Sequence, residues 1–456
     1  PLLGEHEPTE QIVFVGIGSG DVEDQVGSYR VQDLRDGLLE AREVTVVSRS
    51  VLETDVPVRL ALDGIVVLLV DGEGVDGIVS LEDVGLTEQY SLRFPDGRHY
   101  AGLFDLLSSD ARKAWLKAIL VGKRQLGLEN ESNGDSLPAT LDPSGSSSLF
   151  QTATSDYIAE FSDDPDLRAA VDAIAATTSG LRSDLMPASE YIQITLDGRE
   201  AGRHFAMPIG GVRAIIKGLV TALRQAGGQL FVRSPVRQIL VDDGRAIGIC
   251  LEDGRQVRSE VVLHNGGPGQ FVRLVGPEHL PQADLDRIAA LKGVECAALF
   301  FATREPVFAD APILITPNCE RVVGIFAPTV LDPTLSKRGQ HLFDAFFPTY
   351  SDDRTAELDL ALADLRALFP NFDAVVEWMV PMFFTGAWPG TESGQTFGQT
   401  GPNRLDPVTP VENCFLVGMD VKGSGVAGDL IPLGVKRALR ELGELGELGE
   451  LGELNE

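Results

Sequence analysis

The chain has 456 residues, of which 43% are hydrophobic, and its 68 Asp and Glu residues outnumber its 38 Lys and Arg residues to give a formal charge of −30. This length exceeds that of one compact domain, so we expect two domains with sizeable cores. The negative charge repels phosphate backbones, which argues against nucleic acid as a partner.

Cysteine usage and hydropathy indicate a cytoplasmic, soluble protein. The four cysteines are scattered, without metal-type spacing or a disulfide framework. The first residues lack a secretory signal, and no apolar run reaches the roughly 18 residues of a membrane span. Contact with a membrane would therefore be peripheral, through a local apolar patch. The histidines His204, His264 and His341 show no metal-ligand spacing, so we expect no metal site and place them at the surface or in turns.

The N-terminal segment predicts a strand, a glycine-rich turn, a helix and a second strand. The apolar run at 11–15 ends in GIGSGD, and another follows at 43–47. Glycines at such a turn let the backbone approach a pyrophosphate at a helix N-terminus. Gly16, Gly18 and Ser19 are the candidates there, and the second strand ends in Ser48 and Arg49. An ordinary glycine turn is the alternative.

The middle of the chain predicts helices, a long loop and a β-meander. Helical patterns cover 109–126, 156–179 and 211–226, a Ser-, Gly- and Pro-rich loop covers 127–148, and an Asp-Gly turn lies in FPDGRHY at 94–100. Turns at DDG and EDG divide 236–263 into a meander, whose last strand stops at Asn265. Strands of a second sheet follow at 297–301, 313–316, 322–326 and 342–347, before a helix at 353–368.

A second glycine-rich turn follows the strand that begins at Cys414. The apolar strand leads to Gly418 and Asp420, and a glycine-rich entry into a helix contains Gly425 and Val426. The amide end of a helix can face an anion or a polarised ring. This segment is a candidate cofactor cradle, and a plain loop between strand and helix is the alternative.

Taken together, the PIGG element at 208–211 with its helix, the meander, Asn265 and the closing VGMDVKGSGVAGD resemble the phytoene desaturase, carotenoid isomerase and retinol saturase branch of FAD-dependent amine-oxidase-like flavoproteins. The resemblance runs from about residue 94 to 439. It implies an α/β fold with a Rossmann-like FAD-binding domain, discontinuous in sequence, and an inserted α+β substrate domain. The implied division is FAD-binding parts at 1–70, 201–268 and 411–440, a helical substrate part at 71–200, a substrate sheet at 269–410, and a low-complexity tail at 441–456.

The resemblance also implies roles for individual residues. Asp420 would bind the ribityl or pyrophosphate region of FAD, and the backbone of Val426 would lie near the flavin ring. Val236 would meet the adenine, and Gly16 and Gly18 would line the pyrophosphate. The first 60 residues depart from the family pattern, because Asp21 and Ser48 stand where it has Gly and Glu.

The expected function is an FAD-dependent oxidoreductase that acts on a hydrophobic polyene or isoprenoid by hydride transfer at the flavin. No nucleophile and base pair stands out, as expected where a cofactor carries the chemistry. The aromatic residues Trp378, Phe383, Phe384 and Trp388 predict either an ordinary core or the lining of a substrate tunnel, and Lys422 is expected to be solvated. The alternatives are a relative without cofactor that acts as a binding or assembly subunit, and an amine oxidase.

Overall fold

The computed structural model describes residues 11–16, 43–48, 78–80, 90–128, 147–200, 206–225, 228–385 and 392–422, and positions 431, 434, 435, 438, 441 and 442. For residues 11–16, 43–48, 78–80, 197–200 and 206 it describes the backbone alone. Most of the predicted loop at 127–148 and the tail after residue 442 lie outside the described residues.

The strands of the described residues form four sheets. They are β1 Gln11–Gly16, β2 Glu43–Ser48, β3 Ile78–Ser80, β4 Tyr90–Arg93, β5 His99–Tyr100, β6 Ala206–Pro208, β7 Gln229–Val232, β8 Val236–Asp242, β9 Arg245–Leu251, β10 Gln256–Arg258, β11 Val261–Asn265, β12 Cys296–Thr303, β13 Ile313–Ile315, β14 Gly324–Phe326, β15 His341–Pro348, β16 Val376–Phe384 and β17 Cys414–Leu416.

Along the chain, eleven helices of the described residues alternate with these strands, singly or in groups. They are α1 Leu103–Leu106, α2 Ser109–Gln125, α3 Thr154–Ala159, α4 Pro165–Ser179, α5 Ala188–Glu200, α6 Val212–Gln225, α7 Pro268–Val275, α8 Gln282–Ala289, α9 Pro328–Leu331, α10 Arg354–Leu368 and α11 Phe372–Val375. Positions 431, 434, 435, 438, 441 and 442 are also helical.

A five-stranded sheet with the order β17-β11-β1-β2-β7 joins three distant parts of the chain. Its β11 pairs in parallel with both β1 and β17. The β11 residues Val261 to His264 are all buried, as expected for the near-continuous apolar run of a central parallel strand. The helical residues Ala438 and Leu442 pack against the neighbouring Val261 and Phe415.

The strand β2 departs from the Rossmann pattern expected for the N-terminal segment. It runs antiparallel to β1, with Gln11 opposite Ser48 and Val15 opposite Val44. In a parallel pair Ser48 would share an edge with Gly16, whereas this register separates the two by roughly 17 Å along the strand direction. The direction of a strand is set by its connection, which hydrophobic periodicity does not encode.

The predicted meander is confirmed in part, as a separate three-stranded sheet of β8, β9 and β10. Its last predicted strand is divided, because β11 leaves the meander and joins the five-stranded sheet. Its turns are of the predicted kind, since Gly244 and Gly254 adopt φ values of 80° and 88°. The helix predicted at 211–226 is also confirmed, as α6. The pattern at 156–179, by contrast, forms two helices, because Asp164 caps a new helix at Pro165 by accepting bonds from the backbone of Asp166 and Leu167.

The second predicted sheet is confirmed and has seven strands in the order β16-β12-β15-β14-β13-β4-β5. One face packs against α10 and α11 in a core that contains Phe301, Phe343, Leu365 and Phe372. The other face is met by α4, where Thr177 donates a hydrogen bond to the Val323 carbonyl oxygen at 2.9 Å. This sheet therefore lies between a closed aromatic core and the helical part of the chain.

Candidate functional site

Three of the predicted site residues meet at one edge of the five-stranded sheet. Gly16 pairs with Asn265, and His264 pairs with Leu416, so Gly418 lies just past the same edge. Gly418 has a φ of 107°, and a Cβ at this position would lie 2.2 Å from Oδ1 of Asn265. Ligands of open α/β sheets bind at the carboxyl ends of parallel strands. This edge, formed by Gly16, Asn265 and Gly418, is the candidate cofactor site and is called the strand-end edge below.

Two other predicted residues are placed elsewhere. Ser48 lies at the opposite end of β1, because β2 is antiparallel. Val236 is the first residue of β8 in the separate meander sheet and packs against the cluster that contains Ile239 and Leu416. The remaining predicted site residues lie outside the described part of the chain: Gly18, Ser19, Arg49, Gly425 and Val426.

Asp420 lies behind the strand-end edge, two residues past Gly418. Its side chain is buried, and Oδ1 accepts a hydrogen bond from the backbone N–H of Ser393 at 3.0 Å. Ser393 begins the segment 393–405, which packs against the closing segment 414–422 through a parallel bridge between Leu405 and Val421. Asp420 thus fixes the backbone that supports the edge.

A buried arginine holds these two segments together. Arg404 is only 2% exposed, and its guanidinium donates to the carbonyl oxygens of Gln399 and Val421, each at 3.0 Å, and also to those of Met419 and Ser393. Burial lowers the pKa of Arg404, and the carboxylates of Asp420 and Glu190 oppose that shift. Arg404 is therefore a desolvated cation whose charge is stabilised by two buried acids.

Glu190 extends the same network into the helical part of the chain. It lies on α5, and its Oε2 accepts a hydrogen bond from Nε2 of Gln395 at 2.8 Å. Both side chains are buried. The helical part is therefore tied to the segment that supports the strand-end edge.

A second carboxylate lies at the start of α7, directly after Asn265. Oε2 of Glu392 accepts a hydrogen bond from the Gly269 N–H at 2.6 Å, and a Cβ on Gly267 would lie 2.9 Å from its carboxyl carbon. Burial raises the pKa of Glu392, the Gly269 bond lowers it, and the like charge of Asp420 raises it further. Two acids thus lie close together beneath the edge.

Sequence reasoning missed Glu190, Glu392 and Arg404. The run NGGPG at 265–269 is a usable signal, because a glycine-rich helix start accepts an anionic side chain. Nothing local marks its partner, which lies 123 residues further along the chain. Arg404 is a single basic residue in a loop and carries no pattern of its own.

The expectation that His264 lies at the surface or in a turn is wrong. His264 is fully buried in the central strand β11, and its Nε2 lies 3.0 Å from the Gly267 carbonyl oxygen. Burial lowers its pKa to about 4, while the bond to Gly267 opposes the shift. His341 is half-buried at the start of β15, and His204 lies outside the described residues.

His264 predicts a pH dependence of stability. Burial moves its pKa from the ordinary histidine value of 6.5 to about 4 in the folded chain, so the unfolded chain binds more protons between these values. Stability is therefore lost as the pH falls through this window, by up to about 3 kcal/mol from this residue. Urea unfolding of the wild type and of His264→Gln at pH 7, 5.5 and 4 measures the effect. If the free energy of unfolding changed equally with pH in the two proteins, the prediction would be refuted.

Lys422 and the aromatic residues also have defined places. Nζ of Lys422 pairs with Asp406, so this lysine is an ion-pair partner within the protein. Phe383 packs into the core of the seven-stranded sheet, whereas Trp378 and Phe384 alternate to its opposite face. The aromatic cluster therefore divides between core and open face. Trp388 lies outside the described residues.

Within the described ranges, no group of three or more His, Cys, Asp or Glu side chains is arranged to hold a metal ion. None of the helices that the structure describes is both long and apolar enough to cross a bilayer.

Parts of the sequence are similar to known carotenoid enzymes. The chain is 28% identical to prolycopene isomerase 2 of an Oncidium hybrid cultivar over 209 residues, which is 42% of this chain and 34% of the isomerase. It is 37% identical to the neurosporene-forming phytoene desaturase of Rhodobacter capsulatus over 82 residues, or 18% of this chain and 15% of the desaturase. The chain thus spans about a third or less of the length of these relatives.

A solved structure supports the fold. An oxidoreductase from Methanosarcina mazei superposes with a TM-score of 0.65 at 22% identity, covering 80% of this chain and 88% of that one. At this identity the likeness concerns the fold. It confirms the mixed α/β architecture predicted from the sequence.

The family model covers most of the chain. Residues 77–429 match the model of the flavin containing amine oxidoreductases. This range contains the meander, the seven-stranded sheet and the closing segment, but not β1 and β2. The resemblance to FAD-dependent amine-oxidase-like proteins is thereby confirmed, and the chain belongs to the flavin containing amine oxidoreductase family.

Proposed function

We propose that this protein is an FAD-dependent oxidoreductase acting on a hydrophobic polyene or isoprenoid substrate. The observation that carries the proposal is the strand-end edge, where Gly16, Asn265 and Gly418 meet from three distant segments. The similarity to a prolycopene isomerase and a phytoene desaturase supports the substrate class. Desaturation, saturation and redox-assisted isomerisation are the outcomes open to such an enzyme.

The described residues of the edge fit a dinucleotide. Gly418 allows close backbone approach, since it lacks a side chain and has a positive φ. Asn265 is exposed at the same edge and offers both donor and acceptor groups. Bound FAD would supply hydride transfer, while the chain binds and orients the substrate.

Charge decides which part of FAD would lie where. Glu392 and Asp420 carry carboxyl groups beneath the edge, and a pyrophosphate beside them would be repelled. Ribityl hydroxyls, in contrast, can donate hydrogen bonds to a carboxylate. We therefore assign the ribityl chain to the Asp420 side and the pyrophosphate to the glycine-rich segment that follows Gly16 in the sequence. This assignment narrows the expectation that Asp420 binds either part.

The experiment is an absorption spectrum of the purified protein, followed by titration with FAD. We expect a flavin spectrum that is released on denaturation, at close to one FAD per chain. Asp420→Asn should bind FAD about tenfold more weakly or worse, because a neutral amide oxygen accepts a weaker hydrogen bond than a carboxylate does. The matched control is Asp359→Asn on the exposed side of α10.

The FAD affinity of Asp420→Asn is interpreted only after its folding has been measured. Circular dichroism and urea unfolding of Asp420→Asn establish that any loss of FAD occurs in a folded chain. Gentle purification without flavin, together with no binding on titration, would rule out the proposal.

A second candidate function is a binding or assembly subunit that has no cofactor. The specific observation in its favour is the antiparallel β2, which places Ser48 away from the strand-end edge. In this case the purified chain would bind a hydrophobic ligand but not FAD. The same titration therefore separates the two functions. An amine oxidase would instead turn over amines with release of peroxide.

A further inference from the structure

One carboxyl group of the seven-stranded sheet lies on an apolar face. Asp344 of β15 pairs with Phe300 on one side and with Phe326 on the other. Phe300 in turn pairs with Val380. Residues directly opposite each other on neighbouring strands share a face. The surface formed by these four residues together with Trp378 and Phe346, which share it by alternation along β16 and β15, is called the Asp344 face.

The side chains of the Asp344 face are more exposed to solvent than those of the opposite face of the sheet. Trp378 and Phe346 are 39% and 37% exposed, whereas Phe343 and Phe347, which alternate with Asp344 and Phe346 along β15, are 3% and 1% exposed. The Asp344 face is the side approached by α4. It therefore offers partly open apolar surface between the sheet and the helical part of the chain.

Asp344 is poorly satisfied in these surroundings. Its Oδ1 is buried and has no hydrogen-bond partner among the described residues. On the described strands β12, β13, β14 and β16, the side chains of this face are uncharged, and Cys296 is their titratable group. The acid of β16, Glu377, bonds to Gln340 and Arg304. A buried polar atom without a partner costs free energy, which a ligand with a matching group would recover.

We propose that the Asp344 face binds an elongated apolar molecule bearing a hydroxyl group, and that Asp344 holds this hydroxyl. The inference rests on the proposed hydrophobic substrate and narrows it to an apolar alcohol. Asp344 acts here as a specificity-determining residue, because an analogue without the hydroxyl leaves the carboxyl unpaired.

The protonation of Asp344 agrees with a neutral ligand. Burial raises its pKa to about 7, so near neutral pH the side chain can donate as well as accept a hydrogen bond. A cationic ligand would have to lose its own hydration on an apolar surface. An alcohol avoids that cost.

The test is displacement of the fluorescent hydrocarbon diphenylhexatriene from the full chain by farnesol and by farnesene, which differ mainly in the hydroxyl. The quantity compared is the ratio of their two inhibition constants in the wild type, Asp344→Leu and Asp344→Asn. We expect the preference for farnesol to fall at least tenfold in Asp344→Leu and to be largely kept in Asp344→Asn, since the amide retains both hydrogen-bonding roles. Comparing ratios removes the difference in water solubility of the two probes.

Each other outcome counts against the inference. If Asp344→Leu keeps the wild-type ratio while diphenylhexatriene binds, the role of Asp344 is overturned and the proposed hydrophobic substrate stands. If none of the three probes binds, the hydrophobic substrate fails as well. If farnesylamine binds the wild type more tightly than farnesol and Asp344→Leu abolishes that difference, the alcohol assignment is overturned in favour of an amine.

Discussion

Replacement of Arg404 by methionine should lower the free energy of unfolding by about 3–5 kcal/mol, the cost of leaving buried charges without their counter-charge. Methionine preserves most of the volume but removes every donor. The carbonyl oxygens of Val421 and Gln399 would lose their bonds, and the buried acids Asp420 and Glu190 would lose the neighbouring cation. Urea unfolding followed by circular dichroism measures the change.

Two further variants test this prediction. Arg404→Lys keeps the charge but not the planar set of donors, so an intermediate loss is expected. Arg287→Met is the matched control, because Arg287 donates at 3.2 and 3.3 Å to the carbonyl oxygens of Arg404 and Asn403 from a less buried position. A loss within 1 kcal/mol of that control, on the scale of a typical exposed interaction, would contradict the role assigned to Arg404.

Gly418→Ala is the second substitution with a large expected effect. Gly418 has a φ of 107°, and a Cβ there would lie 2.2 Å from Oδ1 of Asn265. Backbone strain of this kind costs about 1–3 kcal/mol. We expect a loss in that range, measured by urea unfolding, and a weaker affinity for FAD if the proposed function holds.

A double-mutant cycle separates strain from collision. Asn265→Ala removes the colliding oxygen, but it leaves the φ of residue 418 unchanged. Because the Asn265 side chain is exposed and can rotate, most of the loss should remain in the double variant. Full recovery in Gly418→Ala with Asn265→Ala would show that the collision alone mattered. If Gly418→Ala alone lost no free energy of unfolding, the backbone at residue 418 would relax without strain, and the prediction would fail.

Much of the secondary structure could be predicted because its signals are local. The helix α10 was predicted at 353–368 and occupies Arg354–Leu368. The Asp-Gly turn before His99 forms as expected, with Gly97 at a φ of 92°. Such features depend on turn chemistry and periodicity within a few residues. The break at Pro165 was also encoded locally but was missed, since the apolar pattern continues across it.

The candidate site could be predicted only in part. Gly16, Asn265 and Gly418 each follow a recognisable apolar strand, and parallel pairing brings their ends together. Ser48, the candidate at the end of the second strand, lies away from them because β2 is antiparallel to β1. The supporting acids and Arg404 come from segments up to 205 residues apart, such as Glu190 and Gln395. Contacts of this range leave no periodic trace in a single sequence.

The sequence by itself determined most of the strands, among them the one that begins at Cys414, and the turns of the meander, since these follow from side-chain periodicity and from backbone conformations that glycine favours. Only the tertiary structure decided the direction of β2, the full burial of His264 and the place of Asp344 on a partly open face. The physical reason is that strand pairing and burial depend on which distant segments meet. The same histidine or aspartate has a different pKa and partner in each such environment.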